Sequence, residues 1–232
     1  MNNNIIFIPI GSDCYNTLSF KNNNIRFFSL PFDWIVTINS IYEIIKNDFI
    51  DFIPSNQFEE NYITINQNNN SININNENDL EIDKHNNMIF NNKYKILFLH
   101  NKFPDDNEKI QRRIKRFNEI LQKSENKVIF IRKTHMNHHH NEIKNFFGQD
   151  QINDEVEEAE KLDVLLQTKY PTLDFQIVII LACDLCYCDN NKITYTTKST
   201  NIIIENFSGK INKNFEKKYN DLIAKIKSKY ST

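Results

Sequence analysis

The chain has 232 residues, a formal charge of -2 at pH 7, 40% hydrophobic and 25% charged residues. That near-neutral balance excludes a broadly basic, phosphate-tracking nucleic-acid binder. Four cysteines in this length are too few for a disulfide-dense secreted scaffold, so the thiols are expected to be reduced.

Asn, Ile and Lys dominate, while Gly is 3 and Pro is 5. Such usage follows AT-rich codons, so Asn clusters carry little chemical information and Ile fills core positions. In chain order, Ile5 to Ile10 is an apolar run of strand length that Gly11 ends. Ser12 or Asp13 can cap a helix from Cys14 to about Lys21. Residues 25–34, IRFFSLPFDW, read as a second extended segment stopped by Pro31. From Thr37 to Phe52, Ile38, Ile41, Ile44, Ile45 and Phe49 recur at helical spacing.

Between Pro54 and Asn92 the pattern weakens into an Asn-rich insertion. Ile63, Ile65, Ile72 and Ile74 alternate there and suggest a surface hairpin turning at Asn68, Asn69 and Asn70. The second half predicts strands at 95–99, 128–131 and 175–182, and helices at 105–121 and 154–168. A further helical stretch broken near Gly148, one or two strands within 192–205 and a closing helix over 215–230 complete it. Strands alternating with helices predict one α/β domain over 1–232: a mostly parallel central sheet, helices on both faces, and an insertion at 54–92.

The longest apolar run, Ile177 to Cys183, is far short of the roughly 20 residues that span a bilayer. The start, Met1-Asn2-Asn3-Asn4, has no basic region and no cleavage site of a signal peptide. A cytoplasmic protein without membrane or nucleic-acid partners is expected, in the host cytoplasm if virus-encoded.

Ligands of open parallel sheets collect beyond the carboxyl ends of the strands. Four predicted strands end at Gly11–Cys14, His100-Asn101, Arg132–His135 and Cys183-Asp184. If they are parallel neighbours, these ends converge. Cys14 follows a glycine turn at a helix start, where backbone N–H groups favour a thiolate. His100 is the best-placed base, and Asp33 or Asp184 could orient it. Each has a plainer reading. Cys14 packs as a small hydrophobe, His100 ends a strand, and Asp33 caps a packing corner. Arg132 binds an anion or pairs with a carboxylate, and Arg112, Arg113 and Arg116 form the solvated face of a helix.

Cys183, Cys186 and Cys188 stand as C-x-x-C-x-C, and His138, His139 and His140 form a run. The second ligand pair of a normal zinc finger is missing, so no metal site is expected. With 3 glycines the chain has neither a dinucleotide fingerprint nor a P-loop, and no cofactor is expected.

Gly11-Ser12-Asp13-Cys14 followed by Ser29-Leu30-Pro31-Phe32-Asp33-Trp34 resembles the opening of a family described as papain-like cysteine peptidases. Its members begin with a strand, a G-x-x-C loop and an S-x-P-F-D-W box, and occur in bacteria and large DNA viruses. Phe98-Leu99-His100-Asn101, Arg113, Arg116-Phe117 and Val128–Arg132 continue the resemblance over roughly residues 5 to 182. It implies a Cys14 nucleophile, a His100 general base and a supporting acid at Asp33, acting through an acyl-enzyme. Ser12, Asp13, Trp34, Asn101, Arg132 and Asp184 are the candidate substrate contacts. The expected function is therefore a cysteine-dependent hydrolase or acyltransferase acting on a peptide or small-molecule substrate. Two alternatives stand beside it: a transferase or binding domain for a nucleotide-sugar or other anionic molecule, and a non-catalytic interaction protein.

Overall fold

Continuous apolar strands need both faces covered, and the chain builds its architecture around that need. The computed structural model describes residues 4–11, 14–37, 40–53, 62–66, 87–91, 93–98, 100–134, 155–183, 196–208 and 214–230. Its strands are β1 (Asn4–Pro9), β2 (Ile35–Thr37), β3 (Tyr62–Asn66), β4 (Asn87–Asn91), β5 (Ile96–Phe98), β6 (Asn126–Lys133), β7 (Asp174–Cys183) and β8 (Ile202–Ser208). Its helices are α1 (Cys14–Asn22), α2 (Ile41–Lys46), α3 (Asn107–Leu121), α4 (Glu155–Lys169) and α5 (Phe215–Ser228).

One sheet is wholly parallel, in the order β1-β6-β7-β8. Its side chains alternate between two cores, as a period of two requires. Val128 and Phe130 of β6 and Ile177 and Ile179 of β7 face the first core. Ile129, Ile131, Val178 and Ile180 face the second. Phe20 of α1 and Phe215, Tyr219, Ile223 and Ile226 of α5 cover the second face. On the first face lie α2, α3 and α4, with Ile44, Phe117 and Leu162 among their buried residues. The expected α/β class, with a parallel sheet between helices, is what the chain adopts.

The second sheet is antiparallel, in the order β2-β5-β4-β3, and sends Ile35, Ile89, Ile96 and Phe98 into the first core. It corrects one expectation. The apolar run at 95–99 is β5 of this sheet and not a neighbour of β1, β6 and β7. Three of the four expected strands are parallel and end on one edge; the strand before His100 approaches from the other sheet.

Other corrections are local. Residues 25–34 form turns rather than a strand, because Asp33 folds back to accept the Leu30 N–H at 3.1 Å. The helix expected over 37–52 is only α2, since Asp48, Phe49 and Asp51 take positive φ values of 51, 61 and 60° that end helical winding. Ile63 and Ile65 do lie on a strand, but its partner is 87–91. The proposed Asn68–Asn70 turn, Ile72, Ile74, the helical stretch near Gly148 and residues 192–195 lie outside the described residues. Among the described residues no helix is long and apolar enough to cross a membrane.

Candidate functional site

The turn after β1 is pinned from below. Gly11 has φ +81°, which favours glycine, and a Cβ there would collide with Thr37 Oγ1 and Arg132 Nη1. Arg132, at the end of β6, fills that space. Its Nη1 donates to the Ile10 carbonyl at 3.1 Å and to Thr37 Oγ1 at 2.7 Å, and its Nη2 to the Thr37 carbonyl at 3.2 Å. Nε and Nη2 also grip Glu155 of α4 at 2.8 and 2.9 Å, a two-pronged carboxylate pair. With 4% exposure and its donors engaged, this guanidinium ties together β1, β2, β6 and α4. It takes the carboxylate-pairing course of the two readings.

Asn16, buried on α1, donates to the Gly11 carbonyl at 2.6 Å and the Ile131 carbonyl at 3.2 Å, and accepts from the Tyr219 hydroxyl. These bonds fix the first turn of α1, whose leading residue is Cys14. The Cys14 thiol is half-buried and not in a disulfide. At the end of β6, the fully buried Lys133 places Nζ 5.1 Å from the centroid of the Tyr15 ring on α1, a cation–π contact. Sequence reasoning gave Lys133 no role. Its signal was available: on β6 it shares the α1-facing side with Ile129 and Ile131.

The P-F-D-W box lies against the opposite side of α1. Phe32 is 1% exposed and packs edge-on against Phe52 and Phe117. Asp33, also 1% exposed, accepts from Arg26 Nε at 3.2 Å and Nη2 at 2.7 Å, and from the Leu30 N–H. Thr17 of α1 donates to its other oxygen at 3.5 Å. Burial pushes the Asp33 pKa up; the charge and hydrogen bonds of Arg26, the Leu30 amide and Arg113 oppose this without cancelling it. Trp34 follows with φ 63°, a strained conformation for so bulky a residue. Its half-buried indole meets the His100 ring edge-on, with centroids 5.6 Å apart.

His100 is exposed, and the loop beyond it is held by Asp106. That carboxylate accepts from Asn101 Nδ2 and the Lys102 N–H at 3.1 Å each, and from Lys109 Nζ at 3.0 Å. Burial raises the Asp106 pKa, but these hydrogen bonds together outweigh it and hold it below the ordinary value. Asn101 is 5% exposed, and its Oδ1 is buried without a partner among the described residues.

The five-residue stretch from Asp33 to Thr37 thus joins the candidate groups. Asp33 touches α1 through Thr17, Trp34 touches His100, and Thr37 sits on the Gly11 turn. Ser12, Asp13 and Asp184 lie outside the described residues, as do Cys186, Cys188 and the His138–His140 run.

Two of the three arginines expected on a solvated helix face are not fully solvated. Arg113 and Arg116 of α3 are half-buried against the box, and Arg116 Nη1 donates to the Ser29 carbonyl at 2.8 Å. Arg113 lies three residues after Ile110 and four before Phe117, on the flank of the apolar stripe, which was the readable signal.

No curated protein and no solved structure matches the chain. A family model does match, over residues 5–184, which takes in β1, α1, the box, His100, β6 and β7. The chain therefore belongs to the family described as "Putative papain-like cysteine peptidase (DUF1796)".

Proposed function

We propose that the protein is a thiol-dependent hydrolase or acyltransferase with Cys14 as nucleophile and His100 as general base. The observation that carries this reading is the box itself. Within a family described as peptidases, it links the cysteine-led helix to the only described histidine through a strained Trp34. Strain of this kind concentrates at functional sites.

In the proposed reaction the Cys14 thiol gives its proton to His100, and the thiolate attacks a substrate carbonyl carbon. A C–S bond forms and the carbonyl π pair moves to oxygen. Backbone N–H groups at the head of α1 are suited to receive that oxyanion. His100 returns the proton to the leaving amine as the C–N bond breaks. Water, deprotonated by His100, or an acceptor amine then cleaves the thioester and regenerates the thiol. Trp34 would hold the imidazole by its ring edge, and Asp33 would act as a positioning residue that holds Trp34.

Iodoacetamide labelling of the reduced protein, followed at Cys14 by mass spectrometry across pH, tests this. Labelling should persist well below the range of an ordinary thiol (about pH 8.5), and His100→Ala should remove that low-pH reactivity. A Cys14 that labels only on unfolding would overturn the reading.

A further inference from the structure

The box gathers more positive charge than it uses. Asp33 is buried and already carries Arg26. Arg26 also donates to Ser29 Oγ at 2.8 Å, while Arg116 takes the Ser29 carbonyl. Arg113 stands among them. Burial lowers its pKa first; the charges of Asp33 and Asp106 oppose that, and those of Arg26 and Arg116 add to the lowering. It makes no hydrogen bond or ion pair to any described residue. None of its five donors meets an acceptor among the described residues, and none is sealed from solvent, so the fork is open to a ligand. Following Arg26 in the chain, Phe27 is 65% and Phe28 41% exposed, and the Arg116 guanidinium lies 5.8 Å from the Phe28 ring centroid.

We propose that Arg113, flanked by Arg26 and Arg116, is a binding site for the oxyanion of a ligand, with Phe27 and Phe28 receiving an adjoining apolar group. The chemistry is a planar guanidinium fork meeting a carboxylate or phosphate, which it can engage through two parallel N–H donors. A carboxylate from the chain itself would serve the same end, yet Asp33 is occupied by Arg26 and Asp106 by Lys109. Asp33, which carries Arg26, immediately precedes Trp34, whose ring meets His100. The site needs no thiol chemistry. If Cys14 is the nucleophile, the site selects substrates that carry an acidic group.

The test is a melting titration at constant ionic strength with N-acetylphenylalanine, phenyl phosphate and the neutral N-acetylphenylalanine amide, in Cys14→Ser protein. Using that variant separates this proposal from the hydrolase reading. At least one of the two acids should raise Tm in a saturable way while the amide does not. Which acid does so distinguishes a carboxylate from a phosphate ligand. Arg113→Gln should weaken that acid at least tenfold, Arg113→Lys should weaken it less, and the exposed Arg112→Gln should leave it unchanged. No shift with either acid, or an Arg113→Gln titration equal to that of the unsubstituted site, would overturn the proposal. Direct calorimetry on Arg113→Lys gives the same decision if Arg113→Gln fails to fold.

Discussion

Arg132 and Arg113 show how one residue type serves opposite ends. Arg132 sits at the carboxyl edge of the parallel sheet, where a strand-end arginine invites a reading as an anion site. Its guanidinium is instead consumed by Glu155, Thr37 and the Ile10 carbonyl. Arg113 sits on a helix in a run of basic residues, where solvent exposure is the natural guess, yet it is half-buried and unpaired among the described residues. Hydrogen-bond accounting, more than position in the fold, separates the clamp from the candidate site.

Substitution should separate them too. Arg132→Ala strands the half-buried Glu155 carboxylate and three further acceptors, and should cost about 3–5 kcal/mol in urea unfolding. Arg113→Ala removes a cation crowded by Arg26 and Arg116, and should change stability by no more than about 0.5 kcal/mol. Equal losses in both would break the distinction and make Arg113 a structural residue.

Gly11→Ala probes the clamp from the other side. The φ of +81° and the approach of Thr37 and Arg132 leave no room for a methyl group. A loss of about 1–3 kcal/mol is expected, with faster exchange of the amides at the start of α1. An Ala variant as stable as the parent would mean that the turn can re-form without the Arg132 contact.

The parallel sheet was legible because the IIFIPI, VIFI and QIVIILA runs are apolar on both faces, which only a doubly covered strand requires. KILFL carries the same signature, but β5 is only three residues long and pairs antiparallel with β2 and β4. Apolar content reports burial and not sheet membership. The helix expected over 37–52 failed for a compositional reason. An Ile-rich sequence produces helical spacing by abundance, while Asp48, Phe49 and Asp51 wind the other way. At the site, Cys14, Asp33 and His100 were visible as residue types at element ends. The Arg26–Asp33 pair and the Trp34–His100 contact were not, because both depend on how the turns at 25–34 fold back.

The carboxylate in the box, Asp33, and the one that holds the loop after His100, Asp106, should respond to pH in opposite senses. Asp106 has a folded pKa below 3.8, so its stabilisation is present above that value and is lost as pH falls through the folded pKa. Asp106→Asn should cost about 1–2 kcal/mol near neutrality, and the difference from the parent should vanish in acid. Asp33 has a folded pKa above 3.8, chiefly through burial. Its contribution is full below 3.8 and declines as pH rises through the folded pKa. The stability gap between the parent and Asp33→Asn should therefore narrow as pH rises, whereas the Asp106→Asn gap widens. Urea midpoints for both variants from acid to neutral pH decide this. Parallel slopes would mean that Arg26 and Arg113 dominate Asp33 more than its burial does, and the box would then have a carboxylate that favours its charge.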